Sequence, residues 1–455
     1  MSDCDVVVAG AGGAGLAAAL AAAQAGRTVV LAEARETFRQ GSNTAMSTSM
    51  IPAAGTRWQA EAQVTDSPAR FLDDIRAKTH GQADPVVAVA LTTVAAELVD
   101  WLADACGVPL ELVTDFSYPG HSAYRCHSVP DRSGASLHRA LLDAAANLDD
   151  LHLVVPARLV DVRTDERGAV RAAVLQRPDG SREEIDTAAV VLATNGFAAD
   201  ADLVGRHLPE IAGGVYHGGE ASRGDALHLA ERLGLDTGCL DAYQGHGSLA
   251  VPESILLTWA VVMHGGWLAD AAGRRFGDET VGYSEYAVKV LARPGGRAWA
   301  VYDQRIHQAC LAFKDYLDVV EAGAVRWADD LAQLAAATGL PVDALTATMN
   351  EANAAASGAG ADRFGRTTWA GPLRPPFAAV RVTGALFHTQ GGLLVDRHAR
   401  VLRGGTPVPG LYAAGGAAVG ISGHGAGGYL AGNGLLAALG LGFLAGRHAA
   451  DHGSR

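Results

Sequence analysis

Three glycines near the start of the chain have the spacing of a phosphate-binding turn. Gly10, Gly12 and Gly15 fit G-x-G-x-x-G. In that pattern the first glycine makes a tight turn, the second lets the backbone approach a pyrophosphate, and the third allows a helix to pack closely on a strand. Glu33 follows Gly15 at about the ~20-residue offset of a carboxylate that binds an adenosine ribose. These residues predict a dinucleotide site, against the alternative of a β-α-β turn without a ligand.

The segments around the glycines supply the elements that such a site needs. Residues 6–9 are apolar and predict a strand buried on both faces. The alanine-rich residues 14–20 predict a helix whose N-terminus faces the phosphate. Residues 28–32 predict a second strand, which ends at Glu33. This order of elements is typical of a βαβ unit in a parallel sheet.

Composition narrows the class of protein. The chain has 455 residues, of which 49% are hydrophobic and 19% charged, as in globular enzymes of two or three domains. The net charge of −13 argues against nucleic acid as a partner. The five cysteines include no C-x-x-C pair, so we expect neither a disulfide framework nor a metal site. Without a signal peptide or an apolar run long enough to span a bilayer, we expect a cytoplasmic protein.

A polar loop connects these features to a known family. Residues 41–44 read Gly-Ser-Asn-Thr. Together with the glycine motif and Glu33, they resemble the flavin-binding half of the fumarate reductase and succinate dehydrogenase flavoprotein superfamily. The resemblance implies FAD as the cofactor. It also implies a non-covalent FAD, because the histidine that forms the family's covalent link is absent from residues 38–50.

The resemblance continues along most of the chain and implies the following FAD contacts: Gly10, Gly12, Gly13, Ala14, Gly15, Glu33, Ala34, Ser42, Asn43, Thr44, Met46, Ser47, Ala157, Arg158, Thr194, Asn195, Gly196, Gly415, Gly416, Asn433, Gly434, Leu435 and Leu436.

We therefore expect an α/β fold made of a Rossmann-type FAD-binding domain and an inserted α+β cap domain. The FAD-binding domain, a parallel sheet with a β-hairpin insertion, is expected over residues 1–240 and 377–455, and the cap over residues 241–376. Residues 151–160 and 169–175 predict strands beside hairpin turns. Residues 185–193 predict one buried strand that returns to the dinucleotide fold.

The substrate residues of the family can be matched one by one. Its fumarate-reducing members clamp substrate carboxylates with histidine, threonine and arginine, and an arginine donates a proton. His246 and Thr258 match the first histidine and the threonine. The proton-donor arginine is replaced by Tyr283, and the second clamping arginine by Tyr429. Phe387 replaces the first histidine of the H-H-T-x-G-G motif.

Three further residues are candidates for the site. By the resemblance His388 contacts the flavin or the substrate, and we count it among the catalytic candidates. Arg125 and His127 lie in a turn-rich loop and could bind an anion, against the alternative that loop residues of this kind have no role.

The two tyrosines change the expected reaction. Arginine stays charged and can bind carboxylates bidentately, so its loss argues against fumarate as the substrate. Two tyrosines at these positions resemble the active site of the 3-ketosteroid dehydrogenases, which belong to the same superfamily. In those enzymes tyrosines take a proton and polarise a ketone while the flavin accepts a hydride. We expect an FAD-dependent dehydrogenase (desaturase) that forms a C=C bond α,β to the carbonyl of a small cyclic keto acid such as 4-oxocyclohexanecarboxylate. Tyr429 would polarise the carbonyl and Tyr283 take the α-proton. The exchanged assignment, and a simple packing role for either tyrosine, stay open.

Two alternatives remain at this point. One is an enoate reductase of the fumarate or urocanate type, or a tricarballylate-type dehydrogenase. The other is an FAD-binding protein without redox activity. Neither a C-x-x-C-H haem motif nor an iron–sulfur cysteine pattern occurs, so we expect electrons to leave to oxygen, a quinone or a partner protein.

Overall fold

A computed structural model describes residues 4–115, 117–118 and 120–452 of the chain. Its strands are β1 (Val6–Ala9), β2 (Val29–Ala32), β3 (Ile51–Pro52), β4 (Glu111–Leu112), β5 (Cys126–Ser128), β6 (Leu151–Val154), β7 (Arg158–Thr164), β8 (Val170–Gln176), β9 (Arg182–Asp186), β10 (Ala189–Leu192), β11 (Val215–Tyr216), β12 (Thr237–Gly238), β13 (Tyr243–Ala250), β14 (Ile255–Leu256), β15 (Trp267–Ala269), β16 (Arg297–Asp303), β17 (Arg326–Ala328), β18 (Phe377–Thr389), β19 (Gly392–Leu393), β20 (Arg400–Arg403) and β21 (Thr406–Ala413).

Its helices are α1 (Gly13–Gln24), α2 (Phe38–Gly41), α3 (Arg57–Glu61), α4 (Pro68–Lys78), α5 (Pro85–Asp104), α6 (Gly134–Ala146), α7 (Ala201–His207), α8 (Asp225–Leu233), α9 (Ala260–Met263), α10 (Tyr283–Leu291), α11 (Gln304–Cys310), α12 (Lys314–Glu321), α13 (Leu331–Thr338), α14 (Val342–Ala356) and α15 (Asn433–His452).

The first sheet has the expected Rossmann-type arrangement. β1 pairs in parallel with β2 and β10, and all four of its residues are buried. The order is β20-β21-β10-β1-β2-β6, in which β20 pairs antiparallel with β21. Helices α1 and α15 pack against this sheet and against each other. The prediction of a parallel sheet with a following helix is confirmed.

The insertion in this sheet differs in detail from the expectation. Residues 151–160 are two strands in different sheets, since β6 joins the parallel sheet and β7 pairs antiparallel with β8. The apolar run 185–193 is also divided. β9 ends at Asp186 in the three-stranded antiparallel sheet β7-β8-β9, and β10 begins at Ala189 in the parallel sheet. Apolar character alone does not show where one short strand ends and another begins.

The cap is built around one long strand. β18 pairs antiparallel with β13 and β16 at the centre of a seven-stranded sheet, to which β11, β14, β15 and β17 also belong. A second apolar core lies here, separate from the core of the parallel sheet. β11 and β18 both lie outside residues 241–376, where we had placed the cap. The cap sheet therefore takes strands from both sides of the expected boundaries.

Helix α5 is long and apolar enough to cross a bilayer, although we had expected no such stretch. It is the one helix of this kind in the described part of the chain. Half of it is buried within the protein, as in core helices that are also apolar throughout.

Candidate active site

The glycine turn has the geometry that its sequence predicts. Gly10 has a φ of +106°, and a Cβ there would lie 2.3 Å from the Ala193 carbonyl oxygen. A Cβ on Gly15 would lie 1.7 Å from the Gly10 oxygen, so α1 could not pack on this turn with a larger residue. Gly12 is different, because beyond its chain neighbours the nearest atom to its Cβ position is Thr44 Oγ1, at 3.7 Å. The space beside Gly12 is therefore open to a ligand.

Glu33 is held firmly at the end of β2. Its Oε2 accepts a hydrogen bond from the Ala11 N–H and its Oε1 accepts one from the Arg35 N–H, both at 2.8 Å. Each carboxylate oxygen has a further lone pair for a hydroxyl donor. On the other side of the turn, Thr44 Oγ1 accepts from the Gly13 N–H at 2.9 Å. These contacts connect the glycine motif to the polar loop.

A cavity of about 710 Å³ extends from this turn to the cap, a size typical of ligand sites. Of the residues expected to bind FAD, it is lined by Gly10, Gly12, Gly13, Ala14, Glu33, Ala34, Ser42, Asn43, Thr44, Met46, Ser47, Ala157, Arg158, Thr194, Asn195, Gly415, Gly416, Gly434 and Leu435. The substrate and catalytic candidates His246, Thr258, Tyr283, Phe387, His388 and Tyr429 line its other part.

Four of the expected FAD residues lie behind the cavity wall. Gly15 packs on Gly10, and a Cβ on Gly196 would lie 1.8 Å from Thr389 Oγ1. Leu436 belongs to the apolar core, since its side chain follows the buried face of α15. Asn433 is fully buried, and neither its amide nitrogen nor its amide oxygen has a hydrogen-bond partner.

The cavity fits FAD. Buried polar atoms need partners, and Thr194 Oγ1, which belongs to a residue that lines the cavity, lacks one within the protein. The open backbone at Gly12 and the N-terminus of α1 suit a pyrophosphate, and Glu33 suits a ribose. When bound, FAD would supply an acceptor or donor of a hydride.

Tyr283 and Tyr429 meet at the substrate part of the cavity. Tyr283 begins α10 and Tyr429 lies in the loop before α15, and their ring centroids are 5.8 Å apart. Burial raises the pKa of both phenols. A hydrogen bond between the two side chains raises the pKa of Tyr283 further and opposes the rise for Tyr429, as expected if Tyr283 donates. Tyr429 Oη also accepts from the Gly434 N–H at 3.4 Å.

His246 lies between two aromatic rings. Its centroid is 4.7 Å from that of Tyr283 and 5.1 Å from that of Phe387, nearly parallel to both, and Trp259 approaches edge-on. Burial lowers the pKa of His246 to about 3, so the ring is neutral at pH 7. Thr258 is buried and lines the same cavity. Both side chains offer hydrogen bonds without charge.

Positive charge is confined to the ribose part of the cavity. The two arginines that line it are Arg35 and Arg158, and they pair with Glu220 and Asp225. No described arginine or lysine lines the part with the tyrosines. His246 and Thr258, which match carboxylate-binding positions of the family, are therefore accompanied here by no described cation.

The structure corrects our expectation for Arg125 and His127, neither of which lines the cavity. Arg125 is buried and forms a bidentate ion pair with Asp66, at 2.9 and 3.0 Å, and a second pair with Asp74. His127 shares a hydrogen bond of 2.9 Å with Thr56 Oγ1, and burial lowers its pKa to about 4. Both residues stabilise the protein behind the site and are not free to bind an anion.

Several cavity residues were not among our candidates, namely Tyr118, His217, Gln244, Trp259 and Gln390. Trp259 and Gln244 lie close in sequence to the matched positions Thr258 and His246, and this proximity could have identified them. Tyr118 and His217 come from distant segments with no pattern of their own. Among the described residues no cluster of three His, Cys, Asp or Glu side chains could hold a metal ion.

Comparisons with known proteins agree with this geometry. Residues 5–435 match the family described as FAD binding domain. The chain is 29% identical to a fumarate reductase (cytochrome) of Shewanella frigidimarina, over 99% of this chain and 78% of that protein. It is 28% identical to 4-oxocyclohexanecarboxylate 2-dehydrogenase of Sinomonas cyclohexanicum, over 98% and 92%.

Among solved structures, 3-ketosteroid-Δ4-(5α)-dehydrogenase of Rhodococcus jostii superposes with a TM-score of 0.75 at 26% identity, over 98% of this chain and 96% of that one. A family match that spans nearly the whole chain, a cavity that fits the cofactor and relatives of one enzyme class lead to one conclusion. The chain belongs to the FAD-binding domain family and is an FAD-dependent oxidoreductase that acts on CH–CH groups.

Proposed function

We propose that this protein is a desaturase that introduces a C=C bond α,β to the carbonyl of a small cyclic ketone. The proposed substrate is a keto acid such as 4-oxocyclohexanecarboxylate. The observation that carries the proposal is the pair Tyr283 and Tyr429, whose rings lie 5.8 Å apart. By the family resemblance, these positions hold arginines in the fumarate-reducing members. A similar protein named for this keto acid supports the choice of substrate.

In the proposed reaction the substrate loses a hydride from its β-carbon and a proton from its α-carbon. When bound, FAD would supply the acceptor of this hydride. Tyr283, as its phenolate, takes the α-proton as the C–H bond breaks and the C=C bond forms. Tyr429 donates its O–H to the carbonyl oxygen, where negative charge develops. Because Tyr429 Oη itself accepts a hydrogen bond from the Gly434 N–H, its O–H is a better donor.

The rest of the cavity would orient the ring. His246, Phe387 and Trp259 form an aromatic wall against which a flat ring can pack. A carboxylate on the substrate would be bound only by neutral donors, among them His246 and Thr258. Burial of an anion without a cation is costly, so the methyl ester should bind at least as well as the acid. After the reaction, electrons would leave FAD to oxygen, a quinone or a partner protein.

Anaerobic absorbance titration of the FAD-loaded protein tests the proposal. Oxidised protein is mixed with 4-oxocyclohexanecarboxylate and its methyl ester, and dithionite-reduced protein with fumarate and urocanate. We expect the ketones to bleach the flavin and the enoates to leave reduced flavin unchanged. Reoxidation by an enoate without bleaching by a ketone would show a reductase. A flavin that responds to neither set would show a protein without redox activity towards these substrates.

A further inference from the structure

His388 lies at the point where α15 begins. From its position near the end of β18, the ring approaches Tyr429 edge-on, with centroids 5.8 Å apart. A Cβ on Gly434 would lie 2.8 Å from Nε2 of His388 and 3.4 Å from Oη of Tyr429. The Nε2 atom and the Tyr429 hydroxyl are therefore close to the same point beside the helix N-terminus.

The other nitrogen of the ring faces a chain of buried amide and hydroxyl groups. Nδ1 of His388 lies 2.8 Å from the side-chain amide nitrogen of Gln390. Gln390 Oε1 accepts a hydrogen bond from Ser422 Oγ at 3.0 Å. Gln390 and Ser422 are only 4% and 1% exposed, so bulk water does not compete for these groups.

Nδ1 of His388 has two polar neighbours, the Gln390 amide nitrogen at 2.8 Å and the Thr389 carbonyl oxygen at 3.3 Å. An amide nitrogen can only donate, so the shorter contact favours Nδ1 as an acceptor, which places the proton of the neutral ring on Nε2. A proton on Nδ1 would place two donors 2.8 Å apart. Burial also lowers the pKa of His388 to about 4, which keeps the ring uncharged at pH 7.

We propose that Gln390 and Ser422 are positioning residues that hold His388 as a neutral Nε2–H donor beside Tyr429. Two donors, Nε2–H and the Tyr429 O–H, then converge where a developing negative oxygen needs them. The use of these donors on a substrate carbonyl rests on the proposed function. The protonation state of His388 does not rest on it and can be tested separately.

Nitrogen NMR of the FAD-loaded chain with ¹⁵N-labelled histidine tests the protonation state directly. The His388 signals are identified by their absence from His388→Gln. In the unmodified protein we expect an unprotonated Nδ1 and a protonated Nε2 that do not change between about pH 6 and 8, because the pKa lies well below this range. A protonated Nδ1 would overturn the proposal.

Substitutions of Gln390 test the positioning role. In Gln390→Leu the donor to Nδ1 is lost, and the Thr389 carbonyl oxygen, 3.3 Å from Nδ1, becomes its partner. We expect part or all of the proton to move to Nδ1. Gln244→Leu is the matched control, since Gln244 lines the same cavity and is paired with His388 across the sheet. The control should keep the proton on Nε2.

Gln390→Glu gives a second test should the leucine variant fold poorly. A carboxylate accepts a hydrogen bond from Nδ1–H and stabilises the charged ring, so the pKa of His388 should rise towards neutral pH, and its NMR titration should shift upwards. Wild-type signals in both Gln390 variants would contradict the proposal. Failure of every ketone to reduce the flavin would instead contradict the proposed function and leave the NMR result unaffected.

Discussion

At the scale of single residues, Tyr283 and Tyr429 have different surroundings. In the neutral pair Tyr429 Oη accepts and Tyr283 donates, so Tyr283 has to lose its proton before it can act as the base. Phe substitution removes only the hydroxyl, so each variant should fold and bind FAD. We expect flavin reduction to slow by ~10²–10⁴-fold in Tyr283→Phe, which loses the base. In Tyr429→Phe, which loses a donor to the oxyanion, we expect flavin reduction to slow by about 10²–10³-fold.

Tyr286→Phe is the control for this pair. Tyr286 lies on the same helix, is fully buried and has no hydrogen-bond partner for its hydroxyl, and it does not line the cavity. Its variant should reduce flavin at the wild-type rate in anaerobic stopped flow. Equal rates in all three variants would exclude the tyrosines from the proton chemistry.

The same burial makes the rate depend on pH. Because burial raises the pKa of Tyr283 well above its usual value, only a small fraction is ionised at neutral pH. This fraction increases with pH, so flavin reduction should accelerate from about pH 6 to 9 in the unmodified protein. The dependence should disappear in Tyr283→Phe. A pH-independent rate in the unmodified protein would argue against Tyr283 as the base.

At the scale of elements, the site depends on how closely α15 packs on α1. Added Cβ atoms on Gly442 and Gly446 would lie 2.2 Å from the backbone oxygens of Ala14 and Ala18. Backbone atoms cannot move aside as a flexible side chain can. Gly442→Ala and Gly446→Ala should therefore each destabilise the protein by roughly 1–3 kcal/mol through overpacking.

Gly205→Ala is the matched control for the helix pair. Gly205 lies within α7, and beyond its chain neighbours and the backbone of that helix no atom lies within 4 Å of its Cβ position. Alanine in a helix is favoured over glycine by roughly 0.5–1 kcal/mol, so this variant should be as stable as the unmodified protein or slightly more stable. Thermal unfolding of the three variants measures the difference. Unchanged stability of the α15 variants would show that the two helices can separate without cost.

At the scale of the whole molecule, buried neutral histidines predict sensitivity to acid. Burial lowers the pKa of five histidines to about 3 or 4: His121, His127, His246, His388 and His448. For each, the folded-state pKa lies below the unfolded value of about 6.5. The unfolded chain therefore binds more protons between these values, and stability is lost as pH falls from about 6.5 to 4.

Differential scanning fluorimetry across this pH range tests the prediction. The melting temperature should stay constant above about pH 7 and fall below about 6.5. His448 is a suitable position for a variant because it lies outside the cavity, where its ring stacks on His452 at 4.0 Å and lies 4.7 Å from His398. His448→Asn should lose part of the acid sensitivity, whereas the exposed His152→Asn should not. An identical pH profile in both variants would contradict this account.

The sequence by itself determined the cofactor-binding unit, because its signals are local. The spacing of Gly10, Gly12 and Gly15 and the strand that ends at Glu33 are fixed by short-range geometry, and the structure has the predicted sheet order around β1. The matched positions His246, Thr258, Tyr283, Phe387, His388 and Tyr429 also line one cavity. Tertiary structure was needed to show the charge state and partners of these groups.

The side-chain partners, the cap sheet and the charge state of His246 depend on contacts between residues that lie far apart in the sequence. Arg125 forms an ion pair with Asp66, which lies 59 positions away in the sequence. The side-chain amide of Gln390 is oriented by a hydrogen bond from Ser422, which lies 32 positions away. β18 belongs to the cap sheet because it pairs with β13 and β16, two strands that lie far from it along the chain. His246 is neutral because Tyr283 and Phe387 enclose its ring. Desolvation and hydrogen bonding depend on neighbours in space, and a sequence pattern shows only neighbours along the chain.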